Sequence, residues 1–242
     1  MHDIDTVVRY LGSASFQEAA LEARAAPQPF ITISRQAGAQ GLSLARAIVA
    51  EMAKERKLTG DPTFKGWHVY DRKLCELVAA DPKLSVYFES LVKETFHSDF
   101  EDYIAHLLSG TSPQAAVIHK MFHAVRSVAR VGKAVIVGRA GSCLTRSLPL
   151  GIHIRLVADP RTRLQVITRR YGLSLANAQL ELEKEDAARA NLVRTYFHRE
   201  IDDPLLYDAV WNTHTVPLQE IAAILVKMVK DKRSAAGEAK TS

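Results

Sequence analysis

Two rhythms of apolar residues alternate along this chain. Short runs rich in Val, Ile and aromatic residues recur at 30–34, 67–70, 134–137, 152–157 and 209–212, the signature of buried strands. Between them apolar residues return every three or four positions, as on one helical face. Ala45, Ile48, Val49, Met52 and Ala53 form such a stripe after the first run, and Leu74, Leu77 and Val78 another after the second. No strand pattern is visible over 81–132, where Tyr87, Phe88, Leu91, Phe96, Phe100 and Ile104 predict helices and 115–129 is a clear one. Asp159-Pro160 caps a helix through Leu164, Val166 and Ile167, a long charged helix follows over 174–197, and Pro217 opens a last helix through Ile221, Ile224, Leu225 and Met228. The run Ala134-Val135-Ile136-Val137 is unbroken, which fits a strand covered on both faces and so a parallel sheet. The pattern therefore predicts an α/β fold, an open five-stranded parallel sheet with helices on both sides and ligands at the carboxyl ends of the strands. Those ends carry Arg35, Asp71, Arg72 and Arg139.

Breaker residues at 25–29 separate a helical N-terminal extension, 1–28, from the main domain, 29–230. A helical insertion over about 81–132 and a helical lid over about 172–200 belong to that domain, and 231–242 reads as a disordered tail. No apolar run approaches the roughly 18 residues of a membrane span, and Met1 to Asp5 lack a secretory signal's cationic flank. Cys75 and Cys143 are far apart and in no metal-ligand spacing. The expectation is a cytoplasmic protein with reduced thiols and no membrane partner. The nine histidines are read as offering no H-x-x-x-H pair on a helix and no zinc spacing with cysteine, so most are expected to be structural or exposed. A net charge of +5 favours an anionic ligand. Arginines dominate near strand ends and over 161–199, and their planar forks suit discrete phosphates better than a diffuse polyanion.

The chemistry concentrates at 30–45, where a strand passes through a small-residue turn into a helix. Backbone N–H groups at such a turn, backed by the helix dipole, cradle anions. A standard phosphate loop reads G-x-x-x-x-G-K-[ST]. Here Arg35 stands at the first glycine, Gln40 at the second and Gly41 at the lysine, with the Ser43 hydroxyl one residue late. Ser34, Gly38, Ala39, Gln40, Gly41, Leu42 and Ser43 are the candidate donor-binding residues, Ser43 the candidate Mg²⁺ ligand, and Arg35 a replacement for some of the lysine's charge. The alternative is a turn whose small residues serve packing. Gly138-Arg139-Ala140-Gly141 follows the third strand, where Arg139 either clamps phosphate or is exposed on the surface. Asp71 and Arg72 either bind an acceptor or cap a helix. Asp186 and Arg189, three apart, share a helix face that either closes over phosphates or is solvated.

In this order and spacing the segments resemble the nucleoside monophosphate kinases, most closely the cytidylate kinase-like branch with its opening I-S-R-Q-x-G-S-G-G. Ile33 to Gly41 is similar to that opening. Val69-Tyr70-Asp71-Arg72, Val135 to Arg139, the helix over 159–172, Asp186-Ala187-Ala188-Arg189 and Tyr207 to Thr213 extend the resemblance over about 30–230. It implies a P-loop NTPase three-layer sandwich, ATP as donor, Mg²⁺ and a nucleoside monophosphate acceptor. By position Arg139 would grip the acceptor phosphate, Asp186 and Arg189 would act in the lid, and Arg163 would bind the donor. Ala140 stands where an aspartate recognises the nucleoside, Leu182 where a lid arginine is found, and Gln40 where a glycine is. The expected function is transfer of the ATP γ-phosphoryl group to a nucleotide or related small phosphorylated acceptor, with Arg35, Arg139, Asp186 and Arg189 as its catalytic set. A nucleotide-binding sensor with little turnover is the alternative. Nucleic acid ranks last, because aromatic residues do not interleave with the arginines.

Overall fold

Phe30 and Thr32 turn to one side of their strand and Ile31 and Ile33 to the other, and apolar groups meet both sides, so the strand is central. This is β1 (Phe30–Arg35) of a computed structural model that describes residues 10, 11, 13–71, 76 and 113–238. It is followed by α2 (Gly41–Thr59), β2 (His68–Tyr70), α3 (Pro113–Val131), β3 (Ala134–Val137), the short α4 (Gly141–Thr145) and β4 (Gly151–Val157). Helices α5 (Pro160–Tyr171) and α6 (Leu175–Phe197), strand β5 (Ala209–Asn212) and α7 (Leu218–Glu238) complete the order, and α1 (Ala14–Ala25) precedes the sheet. All five strands are parallel, in the order β2-β3-β1-β4-β5.

Helices α2 and α7 cover one face of the sheet, packing Leu44, Ile48, Met52, Ile221 and Leu225 on Ile31, Ile33, Val135 and Ile154. The other face receives Phe122 and Val125 of α3, Leu144 of α4 and Phe16 of α1 against Phe30 and Ile136. The result is the three-layer α/β sandwich that the periodicity predicts. Because β1 delivers its helix to one face and its neighbour β3 delivers α4 to the other, a crevice opens between their carboxyl ends.

Helix boundaries follow local chemistry. Asp159 accepts hydrogen bonds from the N–H groups of Arg161 and Thr162, and Ser174 from that of Asn177, so both helices start at side-chain caps. Residues 231–238, expected to belong to a disordered tail, are helical, since α7 continues through Glu238. Lys232 Nζ donates to the Gly151 carbonyl and Arg233 Nη1 to that of Pro27 at 3.2 Å, tying those turns to the domain. The helix expected through Leu74, Leu77 and Val78, the aromatic positions of the insertion, and Ile4, Val7 and Val8 of the extension lie outside the described residues.

The second-face side of β4 is polar. His153 Nδ1 lies 2.8 Å from Thr32 Oγ1, and burial pushes the imidazole down to about 4, against the pull of Asp208. Unfolding frees this histidine to take up a proton below its ordinary 6.5, while the folded state declines it until about 4. Stability is therefore expected to fall as pH drops through that window, by on the order of 3 kcal/mol from this group. Urea midpoints at pH 7 and 4.5 check it; His153→Gln should flatten the difference, and an unchanged slope would refute the assignment.

Candidate functional site

The turn after β1 is shaped by what surrounds its backbone. Gly38 has φ +77°, and a Cβ there would stand 2.5 Å from the Arg163 carbonyl oxygen of α5, so a glycine is required twice over. Gln40 takes the left-handed conformation, φ 60° and ψ 29°, as the residue before α2, which accommodates the missing second glycine without a side-chain cap. The first N–H groups of α2, those of Gly41, Leu42 and Ser43, have no protein acceptor among the described residues. They point, with the helix dipole, at the space in front of the turn. Ser43 is exposed there.

The charged end of Arg35 does not lie over this loop. A Cβ built at Gly41 would stand 3.2 Å from Arg35 Cγ and Cδ, and one built at Gly138 would stand 1.9 Å from Arg35 Nη1. The stem thus crosses Gly41 and the guanidinium rests on Gly138, at the end of β3. Arg35 is expected from the sequence to supplement the donor loop; its stem runs beside Gly41 of that loop and its charged end reaches Gly138. Gly138, Arg139 and Ala140 are all left-handed, with φ of 82°, 58° and 51°. Ser34, Arg35, Arg139 and Arg189 line one cleft with the 138–142 turn, Leu192, Val193, Ile201 and Tyr207. Arg139 pairs with Glu76 at 2.7 Å. Burial, then the charges of Arg189, Arg139 and Arg170 against the opposing pull of Glu185, hold the Arg35 guanidinium down at about 9. Concentrated positive charge of this kind marks an anion site.

Asp186, on α6, joins that helix to the loop. Its carboxylate accepts from the Ala37 N–H at 2.6 Å, Arg163 Nη2 at 2.8 Å and Arg189 Nη1 at 3.1 Å. Arg189 also reaches Glu185 at 2.5 Å. Arg163 is buried, and its Nε has no partner. Leu182, at the position of a lid arginine, is buried with Ala37, Ile167 and Ala178, so apolar packing docks the lid on the loop where the resemblance implied charge.

Two residues that the sequence reading did not place in the site support the cleft through Ser34, Tyr207 from its lining and Arg155 from beside it. Arg155, 5% exposed, donates from Nη1 to Ser34 Oγ at 3.0 Å and pairs with Asp202. The Tyr207 hydroxyl donates to the Ile201 carbonyl at 2.8 Å and lies 3.1 Å from Ser34 Oγ. Ser34, expected among the donor-binding residues, is thus engaged with the wall of the cleft. The available signal was polar residues, His153 and Arg155, alternating within the apolar run of β4. Asp71 ends β2 outside the lining of the cleft, and Arg72 lies outside the described residues. His119 and His123, one turn apart on α3, have Nε2 atoms 2.8 Å apart, which corrects the expectation that no H-x-x-x-H pair stands on a helix. No cluster of three His, Cys, Asp or Glu able to hold a metal occurs among the described residues.

The profile of the cytidylate kinase-like family matches residues 30–215, most of the chain and all five strands. The chain belongs to the cytidylate kinase-like family. Family membership carries a nucleotide kinase-like fold, in accord with the sheet order and the loop. A crystal structure of an uncharacterized protein from Eubacterium ventriosum ATCC 27560 is similar, with a TM-score of 0.63 and 19% identity over 84% of this chain and 99% of that one. At that identity the likeness concerns the fold. No curated protein matches the chain. Among the described residues no helix is long and apolar enough to cross a membrane.

Proposed function

We propose that the protein transfers the γ-phosphoryl group of ATP to a nucleoside monophosphate or a related small phosphorylated acceptor. The observation that carries this reading is the convergence of Arg35, Arg139 and Arg189 on a cleft beside a helix-opening loop with free N–H donors. Phosphoryl transfer asks a protein mainly for positioning and positive charge. In this reading the loop over 38–43 holds the donor phosphates, Arg139 the acceptor phosphate and Arg189 the transferring group. Asp186 acts through Arg163 and Arg189, as a positioning residue. An acceptor phosphate oxygen attacks the γ-phosphorus, the bond to the β–γ bridging oxygen breaks, and ADP leaves with the electron pair. A dianionic acceptor needs no general base.

Mg²⁺ would supply charge neutralisation between donor phosphates. The exposed Ser43 hydroxyl at the head of α2 fits it, since Mg²⁺ takes most of its ligands from phosphates and water. The second reading, a nucleotide-binding sensor, is favoured by the Asp186 carboxylate on the Ala37 N–H, where it occupies part of the cradle. A coupled assay of ADP release over the nucleoside monophosphates, with and without Mg²⁺, separates the two. The expected result is acceptor-dependent ADP that falls about tenfold or more in Arg139→Ala. ATP binding without acceptor-dependent ADP would favour the sensor.

A further inference from the structure

We propose that Arg35 is the loop's cation moved to the acceptor side: its stem takes the path a lysine at position 41 would need, and its guanidinium grips the acceptor phosphate rather than the donor. The inference rests on the phosphotransferase reading and adds to it a division of labour. Arg35 and Gly41 are complementary. A side chain at 41 would start 3.2 Å from the Arg35 stem and 3.5 Å from Val137 Cγ1, tighter than a normal carbon contact on the first side and enclosed on the second. A lysine chain at 41 would therefore crowd the Arg35 stem and compete with it for this path.

The far end of Arg35 is equally specified. Its Nη1 occupies the place a Cβ of Gly138 would take, under the left-handed turn that also presents Arg139. Two glycines, one beside the stem and one beside the fork, leave this path open. The fork ends in the cleft with Arg139 and Arg189, at the end of β3, and the loop is left to bind through backbone. On the loop the unclaimed donors are the N–H groups at the head of α2, which suit the successive phosphates of a donor. A rigid guanidinium fork suits a single phosphomonoester dianion. The depressed titration of Arg35 agrees, because a buried cation among cations is relieved by such an anion.

Four proteins test this: wild type, Arg35→Gly, Gly41→Lys and the double variant. Calorimetric titration measures binding of AMP, CMP, GMP and UMP as acceptor probes, and of a non-hydrolysable ATP analogue with Mg²⁺ as donor probe. Arg35→Gly is expected to weaken the tightest-binding monophosphate about tenfold to a hundredfold and the ATP analogue by less than about threefold. Gly41→Lys alone is expected to weaken monophosphate binding as well, by displacing Arg35. In the double variant, ATP-analogue binding should exceed that of Arg35→Gly, while monophosphate binding stays weak. Should Arg35→Gly fail to fold, Arg35→Lys retains the stem without the fork and should show the same selective loss. Equal losses of donor and acceptor, or an innocuous Gly41→Lys, would overturn the relocation while leaving the phosphotransferase reading intact. Wild-type protein that binds neither probe would overturn both.

Discussion

Gly38→Ala is expected to destabilise the protein by about 3–4 kcal/mol. Part of the cost is conformational, because φ +77° costs an alanine about 1 kcal/mol or somewhat more. The remainder comes from the neighbour. The new methyl would stand 2.5 Å from the Arg163 carbonyl oxygen and 2.7 Å from its Cα, and that backbone is held by the Asp159 cap of α5. Rigid backbone cannot swing aside as a side-chain end can, so loop and helix must separate. Gly172 supplies the control: it has φ +64° with nothing within 4 Å of a built Cβ. Gly172→Ala should lose only the conformational part, about 1 kcal/mol. Denaturant unfolding of the two variants measures the difference, and equal losses would show that the contact with Arg163 carries no energy.

Asp186→Ala is expected to move stability and anion affinity in opposite directions. The carboxylate serves the Ala37 N–H, Arg163 and Arg189 together, and its removal leaves the buried Arg163 without its partner. Breaking a fully buried pair costs about 3–5 kcal/mol. With the Asp186 side chain 28% exposed, a loss of about 2–3 kcal/mol is expected, a drop in Tm of about 5–10 °C. The same change frees an N–H of the cradle and removes a negative charge from it. ATP-analogue binding should therefore tighten, by about tenfold. Glu185→Gln removes a carboxylate that also pairs with Arg189 but does not touch the loop. It should tighten binding much less. Weaker binding in Asp186→Ala would show instead that the carboxylate holds the loop in its binding shape.

Helix α6 meets the loop differently from the lid that the resemblance implies. Leu182 replaces a charge with an apolar group buried against Ala37 and Ile167, and Asp186 adds a polar tie to the same loop. Burying an apolar side chain of this size contributes about 1.5–3 kcal/mol. Loop, α5 and α6 are therefore coupled by packing as well as by charge.

What the sequence by itself determined is the part governed by short-range rules. The five strands, the parallel sheet, the cap at Asp159, the start of the long helix at 174 and the helix-opening turn all follow from periodicity and capping within a few residues. The side-chain directions were decided only by the tertiary structure. Arg35 runs to a glycine 103 positions away, Asp186 bonds an N–H 149 positions away, and Arg155 claims a serine 121 positions away. Such partners are chosen when strands and helices from distant parts of the chain close on one crevice. The competition for space at Gly41 and for donors at Ala37 arises there, from packing and desolvation that no local pattern encodes.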